Sequence, residues 1–213
     1  MQNTNDLPKL RRCFLQPEPE HDLAADSLAQ AADALLRNDL PEAAGFLRKA
    51  DHRCLQEHCR KVSKINPEIH HRTKNPVYTK FPPSPGPHMP GAGVIREVLA
   101  RDGYRCRFCG CRVIVNEARK TFIKTLPAAA KFDDGRCHHS ALAALRASID
   151  HVVPFRRGGT NNPDNLVTAC GPCQFGRGHW LLKECDLDDP RQYPPLIDSW
   201  DGLVSLRGFK LHK

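Results

Sequence analysis

The sequence predicts an α+β chain: a small helical region, then a hairpin-then-helix unit closed by four cysteines around a zinc ion. Three observations predict it. Apolar residues recur at helical spacing between Asp22 and Arg37 and again after Asp39. Two C-x-x-C pairs, Cys106/Cys109 and Cys170/Cys173, each sit beside a turn glycine, Gly110 or Gly171. Between the pairs, the short β-branched runs I-D-H-V-V and L-V-T-A flank the turn-rich segment G-G-T-N-N-P-D-N.

The elements follow in order. Residues 1–20 contain Q-P-E-P-E and no periodicity, which reads as a flexible tail. Leu23, Leu28, Ala31, Ala32, Leu35 and Leu36 place a helix within 22–37. Asn38-Asp39 interrupts it. Asp39 can cap a second helix, with Pro41 in its first turn and Ala43, Ala44, Phe46 and Leu47 inside. This hairpin opens a helical N-terminal region, residues 21–80, whose expected role is packing or docking of a protein partner. Its later part holds seven Lys/Arg, including Arg72, Lys74 and Lys80, and could follow a phosphate backbone or form a solvated face. F-P-P-S-P-G-P-H-M-P-G, residues 81–91, has five prolines and two glycines and reads as a stiff linker at a domain boundary. A second domain is expected over 92–185. It begins with a helix at 94–102 ended by Gly103 and runs through the first cysteine pair into a strand. A helix at 141–148, the two strands and a helix led by Pro172 complete it. Residues 186–213 form a C-terminal extension.

Composition narrows the partners. No run of eighteen apolar residues is present, so a membrane span is not expected. The N-terminus lacks an apolar leader, so a cytoplasmic, reducing location is expected and the ten cysteines read as metal ligands or buried thiols. The formal charge is +8, and residues 94–183, with 15 basic and 7 acidic side chains, carry an excess of that size by themselves. A concentrated positive field favours a polyanion, of which nucleic acid is the commonest.

The cysteine pairs carry the strongest signal. A C-x-x-C turn aims two thiolates at one ion, and two such turns complete the tetrahedron that zinc prefers. The 60 intervening residues exceed the usual 15–20. Two doublings of loop length cost only ~1.2 kcal/mol, against roughly 10–16 kcal/mol of apparent zinc-binding energy. Four sulfurs leave no open position, so the role is structural. Cys111 competes with Cys109 but breaks the spacing. Cys13, Cys54, Cys59 and Cys185 read as leftover thiols. Cys137-His138-His139 offers a second metal site or, in the favoured reading, a histidine that packs against or caps the helix at 141–148.

The chemistry lies between the pairs. Hydrolysis of a phosphodiester needs an attacking water, a base to deprotonate it and positive charge for the leaving oxyanion. Histidine is the side chain that most readily supplies a neutral base near cellular pH, which nominates His151. An imidazole also needs a fixed ring and tautomer, and the Asn165 carbonyl is placed to provide both across the hairpin. Asp150 is a hard oxygen ligand for a divalent cation such as Mg²⁺. Neighbouring strand residues face opposite ways, so a bulge or twist is expected between Asp150 and His151.

The order C-R-F-C … I-D-H-V-V-P-F-R-R-G-G-T-N-N-P-D-N-L-V-T-A-C-G-P-C-Q resembles the HNH endonucleases of the ββα-metal (His-Me finger) superfamily, over about residues 94–183. The resemblance implies a ββα-metal domain acting on duplex DNA, with His151 as general base, Asn165 orienting it and Asp150 on the catalytic cation. It implies that Gln174, after the last cysteine, is the second ligand, where the family usually has His or Asn. It also implies that the four cysteines hold a structural zinc. Arg156, Arg157 and Arg177 are expected to hold phosphates. Arg177 shares the Gln174 helix face, whereas His179, about 140° further round the axis, does not. The alternative is a non-catalytic zinc module that binds nucleic acid.

Overall fold

The computed structural model describes residues 13–65 and 87–210. Most of the expected tail, the basic positions Arg72, Lys74 and Lys80, and linker residues 81–86 lie outside them. Three helices come first: α1 (Glu20–Leu36), α2 (Leu40–Lys49) and α3 (Arg53–Ser63). Asn38 takes a left-handed φ of 62° to reverse the chain, and the Asp39 side chain caps α2 by accepting from the Glu42 N–H at 3.0 Å. Both features follow the sequence reading. Helix α3 lies within the helical region expected over residues 21–80, although its basic residues alone read only as a phosphate-following stretch or a solvated face. Leu55, His58 and Val62, spaced by three and four, form its buried face.

The second part runs α4 (Ala92–Arg101), α5 (Asn116–Thr125), β1 (Phe132–Asp133), β2 (Arg136–Cys137), α6 (Ser140–Ala144), β3 (Ser148–His151), β4 (Leu166–Ala169) and α7 (Gly171–Arg177). β1 and β2 pair antiparallel, as do β3 and β4, in two separate two-stranded sheets. Together with the preceding helices this is the mixed α+β class expected. The strand expected after the first cysteine pair is absent. Val113, Ile114 and Val115 donate to three different segments, through the Tyr104, Leu145 and Gly202 carbonyls at 2.8–2.9 Å. Apolar, β-branched residues are buried here with only isolated bridges, Arg105 to Arg112 and Ile114 to Arg146, in place of a strand. Among the described residues, no helix is long and apolar enough to cross a membrane.

One continuous core joins the two parts. Leu28, Leu35, Leu47 and Leu55 are fully buried in the same cluster as Ile114, Leu142, Leu145 and Leu166. Helix α3 packs on α6 and α7. Residues after 185 pack on the same body: Trp200 donates its indole N–H to the Val113 carbonyl at 2.9 Å, and Arg107 donates to the Pro190 carbonyl at 2.9 Å.

Polar contacts reinforce the joint between the helical region and α6. Asp51 accepts from the Ser140 N–H at 2.7 Å and hydroxyl at 2.6 Å, and pairs with Lys131 at 2.5 Å. His139 caps α6 by accepting from the Leu142 N–H at 3.3 Å, and its other nitrogen meets the Leu47 carbonyl at 2.8 Å. The capping role expected near 138–139 therefore falls to His139. Burial pushes the Asp51 carboxyl up, but Lys131 and the Ser140 donors outweigh it and hold it at about 2. A depressed carboxylate contributes stability above its unfolded value of about 3.9 and loses it as pH falls through the folded value. Asp51→Asn is thus expected to lose about 1–2 kcal/mol at neutral pH. Its deficit in urea unfolding should shrink between about pH 4 and pH 2.

Candidate metal centre and active-site cleft

The first pair is presented by the turn after α4, and the second by the step from β4 into α7. The Cys106 N–H bonds the Cys111 carbonyl at 2.9 Å, and the Arg107 N–H bonds the Thr168 carbonyl at 2.8 Å, which ties the first turn to β4. Asp102, fully buried, strengthens that tie by accepting from the Thr168 N–H at 2.7 Å and from Arg107 at 2.9 Å. Only glycine fits at 171, where a Cβ would stand 2.4 Å from the Ala143 carbonyl oxygen.

These contacts bring the Cys106, Cys109, Cys170 and Cys173 sulfurs all within 4.8 Å of one another. That is the donor set and spacing of a tetrahedral zinc site. The thiols also strain against one another electrostatically. Burial pushes Cys106 up, yet hydrogen bonds from its neighbouring thiols outweigh this and hold it well below the ordinary thiol range. Cys170 and Cys173, chiefly through their bonding to Cys106, are pushed well above it. Four thiolates cannot coexist here without a cation between them, so the residues fit zinc. Cys111 lies 3.4 Å from the Cys109 sulfur but outside the four-sulfur set. Cys13 approaches the same cluster, and burial, with Cys109 and Cys106 adding to it, pushes its thiol up to about 12.

An open cleft of about 430 Å³ lies beside this centre, with Asp150, His151, Gln174, Arg156, His88 and His179 among its lining residues. Asp150 and His151 both line one cleft, and of the bulge or twist expected between them no bulge is present. They pair in regular register with Val167 and Leu166, and His151 ends the strand. His179 also lines the cleft, contrary to the helical-wheel argument. Helix α7 stops at Arg177, and Gly178 (φ 55°, ψ −121°) turns the chain back before His179.

Asn165 does not orient His151. Its side-chain carbonyl accepts from the Val153 N–H at 2.8 Å, and its amide donates to the Val153 and Thr160 carbonyls at 3.1 and 2.9 Å. Three bonds make it the brace of the loop joining β3 to β4. The brace needs glycine at 159, where a Cβ would lie 1.7 Å from the Val153 oxygen. The residue that meets His151 is Asn161, whose carbonyl oxygen lies 2.8 Å from Nε2. His88 stacks on the His151 ring at 5.9 Å and 24°, and Phe155 meets it edge-on at 5.8 Å. Reading the residues missed His88 and Asn161. One lies in a proline-rich segment without periodicity, and the other is the first of two adjacent asparagines in a turn that offers no rule for choosing between them.

Two of the three arginines expected on phosphate are also placed elsewhere. Arg177 is fully buried. It pairs with Asp150 at 2.5 Å and donates to the His151 and Val152 carbonyls at 2.8 and 2.7 Å. It shares a helix with Gln174, as expected, but faces the interior, where β3 would otherwise leave carbonyls and a carboxylate unpaired. Arg157 is buried against Glu184, which it meets with two bonds at 2.8 and 3.0 Å. Arg156 is exposed at the cleft. Burial raises the Asp150 carboxyl above its ordinary range, with Arg177 opposing the shift. Among the described residues, the four cysteines are the one close cluster of three or more His, Cys, Asp or Glu ligand atoms.

The hairpin, its braced loop and the following short helix form a ββα unit that carries a four-sulfur cluster suited to a zinc ion. Residues 135–174 match the family model described as HNH endonuclease. The match spans β3, the loop, β4 and the second cysteine pair, and leaves Cys106 and Cys109 outside it. No curated protein and no solved structure matches the chain.

Proposed function

We propose that the chain is a metal-dependent endonuclease that hydrolyses phosphodiester bonds in DNA. The observation that carries this reading is the convergence of His151, Asp150 and Gln174 on one open cleft beside the four-sulfur centre. In this reading His151 takes the proton from the attacking water. The Asp150 oxygen not committed to Arg177 and the Gln174 amide oxygen would hold the divalent cation. That ion, when bound, supplies positive charge to the phosphate and the departing oxygen. Arg156 stands at the cleft to meet the phosphate backbone, and the basic surface of residues 94–183 extends the field. Arg177 acts from inside by holding Asp150 in place.

One observation favours the second reading, a zinc module that binds nucleic acid without cutting it. Asp150 already shares a buried ion pair, so its charge is partly neutralised before any cation arrives. Supercoiled plasmid with Mg²⁺ or Mn²⁺ separates the two. The nuclease reading expects nicked product that EDTA prevents, and binding that weakens steeply with salt. Tight binding with no nicking under either metal assigns the chain to the second reading.

A further inference from the structure

Resting on the nuclease reading above, we propose that Asn161 is the positioning residue of the site. Pinned by the Pro87 carbonyl, its amide holds neutral His151 in the Nε2–H form and leaves Nδ1 as the nitrogen that accepts a proton.

The argument is one of donors and acceptors. The side-chain nitrogen of Asn161 lies 2.7 Å from the Pro87 carbonyl oxygen. A backbone carbonyl can only accept, so the group facing it is the NH₂ end of the amide. Turning the amide over would set two acceptors against each other at that distance. The other end of Asn161, which lies 2.8 Å from His151 Nε2, is therefore its carbonyl oxygen. An amide oxygen can only accept, so Nε2 carries the hydrogen. In a neutral imidazole one nitrogen donates and the other has the lone pair, which leaves Nδ1 basic.

The ring is fixed in its other degrees of freedom too. His88, the residue after Pro87, covers one face of His151, and Phe155 abuts it edge-on and also meets His88 at 5.0 Å. The segment at 87–88 thus reaches the site twice, through a carbonyl that orients Asn161 and through a ring that limits rotation of His151. Asn161 needs no contact with substrate for this role. Asn165, the residue the family resemblance nominates, braces the loop that carries Asn161.

The test uses the full-length, zinc-loaded chain with ¹⁵N-histidine. Long-range ¹H–¹⁵N spectra report which ring nitrogen is protonated, and the His151 signal is identified by its loss in His151→Gln. The wild-type chain is expected to show His151 as the Nε2–H tautomer. Asn161→Ala should bring the two tautomers into exchange and lower kcat for nicking roughly 10–100-fold with little change in KM. Asn161→Asp, which keeps an acceptor toward Nε2 but sets a second acceptor against the Pro87 carbonyl, should keep the Nε2–H tautomer and recover only part of kcat. An Nδ1–H tautomer in the wild-type chain overturns the proposal even if no variant folds. So does an unchanged tautomer with unchanged kcat in Asn161→Ala. If the chain never cuts DNA yet the tautomer shifts in Asn161→Ala, the nuclease reading fails and the hydrogen-bond lock stands. If the chain cuts and Asn161→Ala alters neither quantity, the lock fails and the nuclease reading stands.

Discussion

His151→Ala is expected to abolish plasmid nicking, by roughly 10²–10⁴-fold, while zinc content, fold and DNA affinity stay at wild-type values. The selectivity follows from where the ring sits. Its named contacts are the Asn161 side chain and the cleft-lining rings of His88 and Phe155. The backbone of residue 151 still pairs with Leu166 and still offers its carbonyl to Arg177 when the side chain is alanine. The Asp150–Arg177 pair and the four sulfurs are untouched by the change. The expected pattern is therefore loss of the chemical step alone. Nicking, a zinc assay and a gel shift on the same preparation test it together. A His151→Ala protein that cuts like wild type removes His151 from the mechanism and with it the proposed hydrolysis.

Loss of one zinc ligand is expected to do more damage still. Cys173→Ser, or a strong chelator, should release the metal and unfold the region that the site staples. Structural zinc contributes roughly 10–16 kcal/mol of apparent binding energy, and a whole domain is typically stable by only about 5–15 kcal/mol. The damage should spread, because Cys170 and Cys173 lie in the same core as Leu142, Leu166 and the helices α1 to α3. Zinc measurement and thermal unfolding by circular dichroism provide the check. Cys111→Ser is the contrast. Its sulfur is close to Cys109 but outside the four-sulfur set, so zinc content should be retained. Equal zinc loss in Cys111→Ser and Cys173→Ser would mean the ligands are wrongly assigned.

The legible parts of this fold are those governed by local rules. Helix α1 shows its apolar spacing, α2 shows its capping aspartate and early proline, and the C-x-x-C turns show their glycines. Helix α3 was harder to read, because His58 stands among its buried positions and its remaining residues are largely polar. Helix α5 buries only Ala118 and Phe122, one turn apart, which is too little pattern to register. The segment 113–115 misled in the opposite direction. Its β-branched residues are buried by packing against three segments, and strand propensity cannot tell that from a ladder.

The site divides in the same way. Asp150, His151 and Gln174 could be singled out because their chemistry and their order around the cysteines are properties of the chain itself. The partners of those residues could not. Whether an asparagine orients an imidazole or braces a loop depends on where a fourteen-residue connection folds back, and here it gives the first task to Asn161 and the second to Asn165. Arg177 and Arg157 are charged, and charge alone points to solvent or phosphate. Only the packed interior reveals a carboxylate and carbonyls that need them inside. His179 reached the cleft because Gly178 ended a helix one residue earlier.

The sequence by itself determined the α+β class, the four cysteines suited to one metal ion, the basic field and the kind of chemistry that an Asp-His pair can support. The tertiary structure decided which side chains meet, which arginines are buried, and that His88 lies over His151 while Pro87 meets Asn161. The reason is range: spacing, propensity and net charge act within a few residues. Hydrogen-bond partnership and burial are settled between segments that only the folded chain brings to within 3 Å of each other.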